Sequence, residues 1–426
     1  MVKMPDTDTS QPVNTVRKRA VLYIPGYDPF PPRRYRELYR TESASQAALS
    51  GYDLQLGPRA GAGFGWSVEA EIESAQVETD IQVLVWSDLV RKSMNPPIPV
   101  TYALLVKTAW IYLSTGALFR LARLRKGPLI AALLPAVLLL GQLLIALLLG
   151  AAAAKGVSLV LAWAQPAGVG VGIETAARAL VWAGVTWLAL RWFKARDGKV
   201  FAYYLMHDYA FSSGLYGETP PVLEARMAAF GEQIVAALQS DVDEVLVVGH
   251  SSGAHLAVSI LADLLRAGRL PTEAGALSLL TLGQVIPMLS FLPKATKLRA
   301  DLHDLSCASE ITWVDVTAPG DGCAFALCDP VAVSGVAPAE GKRWPLVLSA
   351  AFTQTLSPER QQELKRRYFR LHFQYLCAFD RPGSYDYFRI TAGPQTLASR
   401  FAHRKPSASR IETPLSPHTE RAFVTG

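Results

Sequence analysis

Two kinds of hydrophobic pattern alternate along this chain. Short apolar runs rich in Val, Ile and Leu are typical of buried strands, and apolar positions three or four residues apart are typical of helices. Five short runs predict strands, at residues 19–27, 80–86, 244–248, 277–283 and 311–317. The first of these ranges includes the tight turn in which its strand ends. Helical patterns separate several of them, for example at 221–239 and 296–304. The pattern therefore predicts an α/β fold, with a mostly parallel sheet and helices on both faces.

A more apolar pattern interrupts this alternation between residues 97 and 199. Residues 129–149 contain no charged side chain, and about 20 apolar residues are enough to span a bilayer. A second apolar run, 176–193, holds three tryptophans, which favour the membrane interface. We expect a transmembrane hairpin, because a hairpin buried in protein fits this Leu-rich run less well. The apolar segment 102–119 contains Lys107 and is expected to lie at the interface rather than to cross the bilayer.

Basic residues at both ends of this insert predict its orientation. Four precede the first span and four end or follow the second: Arg120, Arg123, Arg125, Lys126, Arg191, Lys194, Arg196 and Lys199. The loop between the spans carries only Lys155 and Glu174, so the positive-inside rule places both outer ends in the cytoplasm. We therefore expect an integral protein of the cytoplasmic membrane. The net charge of +6 is interpreted as this topology signal, and no nucleic-acid partner is expected.

Two further features agree with a cytoplasmic location. The polar residues Met1–Arg19 lack the apolar segment of a signal peptide. The four cysteines show neither a C-x-x-C motif nor zinc spacing, and free thiols in a reducing compartment are favoured over a disulfide pair. They are Cys307, Cys323, Cys328 and Cys377.

These patterns divide the chain into five parts. Residues 1–18 are polar and are predicted to be a disordered N-terminus. Residues 19–96 and 200–403 form the α/β domain, which the membrane insert at 97–199 interrupts. Residues 404–426 are rich in Ser, Thr, Pro and charge, and they are predicted to be a disordered tail.

The pentapeptide 249–253, Gly-His-Ser-Ser-Gly, carries the strongest chemical signal. A predicted strand precedes it and a helical stretch follows it, and strand, G-x-S-x-G, helix is the pattern of a nucleophile elbow. Gly249 and Gly253 suit the positions where strand and helix nearly touch. Ser251 would then stand at the tip of the turn as the nucleophile. The alternative is an ordinary serine that caps the helix.

The elbow within an α/β pattern resembles the α/β-hydrolase superfamily, and its lipase and esterase branches most closely. The resemblance covers residues 18–95 and 200–403. It implies a serine hydrolase that forms an acyl-enzyme and needs neither a metal nor an organic cofactor. The chain departs from the family in one respect, since the usual lid insertion follows the elbow, whereas the membrane hairpin here precedes it.

The family's chain order, in which the acid follows the nucleophile and precedes the histidine, points to Asp321. This residue lies in a turn just after the strand predicted at 311–317, where the acid of the family belongs. The alternative is an ordinary aspartate of a Pro-Gly turn. Asp329 and Asp315 are the other candidates for the acid.

The histidine must then follow Asp321, which leaves His372, His403 and His418. His418 lies in the predicted tail, and His403 is close to it. His372 has apolar and aromatic neighbours that could hold an imidazole, so it is the preferred base and His403 the alternative. A helix histidine without a catalytic role is also compatible with its position. His250, inside the elbow, is expected to be structural.

The oxyanion hole needs backbone N–H groups aimed at the developing negative oxygen. The resemblance assigns one to Ser252, the residue after the nucleophile. The other would come from Tyr27 in the turn after the first strand. Pro25 stands here where the family often has histidine.

The leading hypothesis is a membrane-anchored serine hydrolase that cleaves a lipid or another apolar acyl ester. Ser251, His372 and Asp321 would be the triad, with the lipid bilayer and the ester as partners. An acyltransferase or thioesterase on the same fold is a second hypothesis. A third, of a different kind, is a non-catalytic relative that scaffolds partners at the membrane.

Overall fold

A computed structural model describes residues 15–164, 171–271 and 276–422 of the chain. The chain divides into two units. The first comprises Met1–Val90, Thr115–Pro128 and Leu215–Gly426, and the second comprises Arg91–Ser114 and Leu129–Gly214. Each unit is described by itself.

The first unit contains an eight-stranded sheet. Its strands are β1 (Lys18–Ile24), β2 (Asp53–Pro58), β3 (Gly65–Ile72), β4 (Ala75–Val83), β5 (Glu244–His250), β6 (Leu277–Leu282), β7 (Thr312–Thr317) and β8 (Leu346–Ser349). Their order in the sheet is β2-β3-β4-β1-β5-β6-β7-β8. Only the β2–β3 and β3–β4 pairs are antiparallel. The predicted α/β fold with a mostly parallel sheet is confirmed.

The α-helices of the described residues, in chain order, are α1 (Arg33–Ser50), α2 (Ser87–Ser93), α3 (Ile98–Ser114), α4 (Ala117–Leu124), α5 (Lys126–Ala164), α6 (Val171–Ala195), α7 (Ala202–Ser213), α8 (Pro221–Leu238), α9 (Gly253–Arg266), α10 (Pro287–Ser290), α11 (Thr296–Cys307), α12 (Pro330–Val333), α13 (Phe352–Thr355), α14 (Pro358–Leu364), α15 (Tyr368–His372), α16 (Tyr387–Ala392) and α17 (Leu397–Phe401). Helices α3, α6 and α7 belong to the second unit, which also holds all but the first residues of α5.

The central strands are buried on both faces, which explains why their sequences are mostly apolar. In β5 every residue is buried. Leu246 and Val248 lie in a core with the tyrosines of α1 and α16. Because side chains alternate along a strand, Val245 and Val247 point to the opposite face, and they too are fully buried. Strand β5 also packs against α8 and α9.

The strand order places a topological switch point between β1 and β5. After β1 the chain builds β2, β3 and β4 on one side, and after β5 it builds β6, β7 and β8 on the other. The loops that follow β1 and β5 therefore leave two neighbouring strands in opposite directions. In open α/β sheets, ligands bind at such a switch point, outside the carboxyl ends of the strands.

Both predicted disordered ends differ from the structure. Val16 is fully buried, so order begins before residue 18, and residues 1–14 lie outside the described residues. The described part of the tail, 404–422, runs along the first unit. Within it, the N–H of Ser407 donates to β8 and the N–H of Ile411 donates to Leu327 O at 2.7 Å. The prediction is wrong there because edge-strand and loop carbonyls accept hydrogen bonds that composition does not reveal.

The second unit contains two helices, α5 and α6, that are long and apolar enough to cross a membrane. The spans predicted at 129–149 and 176–193 lie inside these longer helices. A Cβ on Gly150 would lie 2.7 Å from the carbonyl oxygen of Trp182, so this glycine lets the two helices approach closely. The proposed turn at 165–168 is outside the described residues.

The unit boundaries differ from the predicted domain boundaries. Helix α7, within the predicted second part of the α/β domain, belongs to the second unit, where His207 Nε2 lies 3.1 Å from Thr101 Oγ1 of α3. Helix α4, within the predicted insert, belongs to the first unit. The segment 102–119 is divided between α3 and α4 at Gly116, whose φ is 68°.

Candidate functional site

Ser251 stands at the turn between β5 and α9, at the carboxyl edge of the sheet. Its φ is 56°, in the left-handed region that residues other than glycine seldom adopt. Its N–H donates to Leu282 O at 2.9 Å, and its carbonyl accepts from the N–H of Ala254 at 3.1 Å. Such backbone strain persists only where the surroundings enforce it, and it is concentrated at functional sites.

The two glycines of the pentapeptide make this turn possible. A Cβ on Gly249 would lie 2.7 Å from the carbonyl oxygen of Gly253. A Cβ on Gly253 would lie 2.1 Å from the carbonyl oxygen of Ile24, at the end of β1. Both distances are far inside van der Waals contact, so any side chain would force the strand and helix apart. The two glycines therefore allow the tight strand–turn–helix connection around Ser251.

The turn after β1 packs directly against Ser251. A Cβ on Gly26 would lie 2.9 Å from Ser251 Cβ and 3.4 Å from its Oγ. The next residue, Tyr27, has a buried ring that meets the edge of Trp86, and Trp86 Nε1 donates to Pro25 O at 2.9 Å. These contacts fix the backbone of the turn beside the serine.

Ser252, the second residue predicted for the oxyanion hole, is the N-terminal cap of α9 and has helical backbone angles. The first N–H groups of a helix have no partner within the helix. The N-terminus of α9 and the Gly26–Tyr27 turn both adjoin Ser251.

Asp321 and His372 form a buried pair. His372 Nδ1 lies 2.7 Å from Asp321 Oδ2, and both side chains are buried. The same oxygen accepts a 3.0 Å hydrogen bond from the hydroxyl of Tyr375, and Oδ1 accepts from the N–H of Cys323 at 2.9 Å. Burial opposes ionisation of Asp321, but the neighbouring His372 and these hydrogen bonds hold its pKa below the usual value.

His372 lies at the end of α15, beside the strand that supports Ser251. A Cβ on Gly283 would lie 3.1 Å from His372 Cε1, and Gly283 directly follows Leu282, which accepts from Ser251 N–H. Among the hydrogen bonds of the described residues, none joins Ser251 Oγ to His372. Catalytic hydrogen bonds are often long before substrate binds and tighten in the complex, so this does not separate the two residues functionally.

His250 holds the His372 segment in place, as expected for a structural residue. Its Nε2 donates to the carbonyl oxygen of His372 at 3.0 Å, and the two rings lie 4.8 Å apart. Burial, together with the nearby His372, lowers the pKa of His250 to about 3. The imidazole of His250 is therefore neutral at physiological pH.

The other acids and the other histidine make different contacts. Asp315 lies within β7, where it accepts from the hydroxyl of Thr281 at 2.6 Å. Asp329 caps α12 and pairs with Lys342. His403 is exposed beyond the end of α17. Of the candidate acids, Asp321 is therefore the one bonded to the preferred histidine.

Sequence reasoning missed three residues that support the site. Tyr375 accepts from the N–H of Ala318 at 2.9 Å while it donates to Asp321, so it ties the acid to its own loop. Asp28 accepts from the guanidinium of Arg34 at 2.9 Å, and this guanidinium lies 4.8 Å from the ring centre of Phe373. No motif identifies these residues, because each acts through a contact between distant segments.

Asp321, Cys323 and His372 bring potential metal-ligand atoms within 4.8 Å of one another. Two ligands of a tetrahedral zinc ion at about 2.0–2.2 Å would be more than about 3 Å apart. His372 Nδ1 and Asp321 Oδ2 are closer than that, at hydrogen-bond distance. The arrangement therefore fits an acid that orients a histidine better than it fits a pair of metal ligands.

Comparison of the chain with models of known protein families, with curated proteins and with solved structures finds no significant match. The function of the protein is therefore inferred from the geometry of the site. That geometry brings a strained serine, a buried acid–histidine pair and two backbone segments to one edge of the sheet.

Proposed function

We propose that the protein is a membrane-anchored serine hydrolase with an α/β-hydrolase-like fold that cleaves carboxylic esters of lipids or other apolar acyl groups. The observation that carries this proposal is the buried Asp321–His372 hydrogen bond at the same sheet edge as the left-handed Ser251. A histidine oriented by an acid is what a serine hydroxyl needs to become a nucleophile.

The proposed reaction follows from these positions. Ser251 Oγ attacks the ester carbonyl carbon while His372 Nε2 accepts the hydroxyl proton, and Asp321 stabilises the resulting imidazolium. The N–H groups of Tyr27 and Ser252 would stabilise the oxyanion. The carbon–oxygen ester bond then breaks, and the alcohol leaves with the proton from His372. Water, deprotonated by the same histidine, attacks the acyl carbon of the acyl-enzyme. The bond from that carbon to Ser251 Oγ then breaks, the carboxylic acid is released, and His372 returns the proton to Oγ.

The membrane anchor is the second part of the proposal. Helices α5 and α6 are the proposed spans, with the basic residues at their outer ends in the cytoplasm. Lys126–Pro128, where α5 begins, belong to the first unit. A Cβ on Gly127 would lie 3.1 Å from Gly322, the residue after Asp321. An entry into the membrane so close to the acid supports a substrate that resides in the bilayer.

Labelling with a fluorophosphonate tests for an activated serine. The full-length protein in membranes is compared with Ser251→Ala and with Ser240→Ala, which removes an exposed hydroxyl that bonds only to Ala237 O among the described residues. We expect labelling of the wild type and Ser240→Ala and none of Ser251→Ala. A folded wild type that resists labelling would contradict the triad.

Acyl esters of graded length, with and without a competing alcohol or thiol, then separate hydrolysis from acyl transfer.

A further inference from the structure

Positive charge is concentrated in two segments of the first unit, 115–128 and 358–370, which together we call the basic rim. The rim contains nine basic and two acidic residues, so its excess of seven positive charges exceeds the net +6 of the whole chain. Segment 115–128 has no acidic residue at all. The remainder of the chain therefore holds nearly equal numbers of basic and acidic residues.

The two segments of the basic rim meet at the loop that holds Asp321. Gly127 approaches Gly322 as described above, and a Cβ on Gly322 would lie 3.7 Å from the ring of Tyr368. Arg125 Nε also donates to the carbonyl oxygen of Ala326, at 2.6 Å. Both segments of the rim therefore contact the loop that holds Asp321.

The exposed side chains of the rim are those of an interfacial surface. Helix α4 buries Leu121 and Leu124 and leaves Phe119 62% exposed. Tyr368 on the other segment is 58% exposed. Aromatic side chains mixed with Lys and Arg are typical of segments that lie at the headgroup level of a bilayer.

Several of the rim's charges have no anionic partner within the described residues. Glu363 is already engaged by Arg360 at 2.6 Å and by Arg370 at 3.1 Å. Lys365 and Arg366 are exposed, and no ion pair forms with either in the described part of the chain. The same holds for Arg123 and Lys126, which are also exposed. These charges are available to an external anion.

We infer that the basic rim binds the anionic phospholipid headgroups of the leaflet that α5 enters, and so holds the Ser251 site against that leaflet. This inference rests on the membrane spans of the proposed function. The bilayer is the occupant that the structure favours, because α5 begins at Lys126, inside the rim itself. A headgroup layer is therefore next to the rim by chain connectivity, and its charge is complementary.

Lysine acetylation of the full-length protein in nanodiscs tests this inference. The discs contain phosphatidylcholine alone or phosphatidylcholine mixed with phosphatidylglycerol, and modification is read by mass spectrometry. We expect Lys126 and Lys365 to react at least about threefold more slowly in the anionic discs, and high salt to abolish the difference. Lys18, at the amino edge of the sheet, serves as the internal control and should react equally in both discs.

A pair of matched variants localises the effect. Lys365→Gln/Arg366→Gln should reduce the protection of Lys126 in anionic discs. Arg17→Gln/Arg269→Gln removes the same charge from exposed positions near the amino edge of the sheet and should leave that protection unchanged.

Two results would overturn the inference. One is equal acetylation of Lys126 and Lys365 in both kinds of disc. The other is protection produced by soluble RNA or polyglutamate but not by phosphatidylglycerol. Fluorophosphonate labelling of the same samples reports on Ser251 independently, so a failed rim and a failed catalytic site give different results.

Discussion

His372 Nδ1 and Asp321 Oδ2 are joined by a 2.7 Å hydrogen bond between buried side chains. The bond commits Nδ1 to the carboxylate and leaves Nε2 as the ring nitrogen available for proton transfer. The three further interactions that hold this geometry come from Tyr375, the N–H of Cys323 and the backbone contact of His250. The acid–histidine pair is therefore fixed before any substrate binds.

Replacement of Asp321 by Asn tests whether this bond orients the histidine. The amide keeps the shape but carries no charge, and its NH₂ group favours the wrong tautomer of His372. We expect kcat for ester hydrolysis to fall roughly a thousandfold to ten-thousandfold, with little change in KM. Steady-state kinetics on a short acyl ester measures both constants. An Asn variant as active as the wild type would contradict the role of Asp321.

Removal of the Tyr375 hydroxyl tests a positioning residue. Tyr375→Phe removes one hydrogen bond to the Asp321 carboxylate, and hydrogen bonds to charged groups contribute about 1.5–3 kcal/mol. The pKa of Asp321, which the native contacts hold low, should rise. Because the carboxylate must be ionised to act, the acid limb of the pH profile of kcat/KM should move to higher pH. A lower rate with an unmoved profile would indicate only a structural role.

Local patterns predicted much of this site for physical reasons. The elbow is encoded within a few consecutive residues, since Gly249 and Gly253 are required by contacts with adjacent segments. Asp321 was reached through the family resemblance, whose chain order places the acid just after a strand that follows the elbow. All five predicted strands correspond to strands of the sheet.

The sequence did not reveal features that depend on tertiary contacts. Strands β2 and β3 alternate exposed and covered residues, and β8 has only four residues, so none gives a long apolar run. Tyr375 reaches Asp321 across 54 positions of the chain. Helix α4 lies within the segment that its composition assigned to the membrane insert. Arg120 of this helix nevertheless donates to Leu415 O at 3.2 Å, within the first unit. Such contacts are set by the whole fold rather than by a local pattern.

Gly26 offers a test of the turn beside the nucleophile. In Gly26→Ala the new methyl group would be 2.9 Å from Ser251 Cβ, and the Gly26–Tyr27 turn must move to accept it. A displacement near 1 Å can reduce a rate about a hundredfold, so we expect a loss of that order in kcat/KM. Gly320→Ala is the matched control, because its Cβ would be 3.8 Å from Phe352, an ordinary contact. Equal effects of the two substitutions would argue against a special role for Gly26.

Asp315 provides a prediction about stability at high pH. Its side chain is fully buried, Oδ2 has no hydrogen-bond partner among the described residues, and burial raises its pKa to about 8. The folded state thus prefers the protonated acid. The associated stability is fully present below the unfolded pKa near 4 and is lost as pH rises through about 8, at about 1.4 kcal/mol per pH unit.

Asp315→Asn removes this titration. The free energy of unfolding of the variant should therefore change less between pH 5 and pH 9 than that of the wild type, because the proton-linked contribution of Asp315 is absent. Denaturant unfolding of the detergent-solubilised protein at both pH values measures the difference. The exposed Asp53→Asn should retain the pH dependence of the wild type. If Asp315→Asn and the wild type lose stability equally at alkaline pH, the buried acid is not the group that titrates.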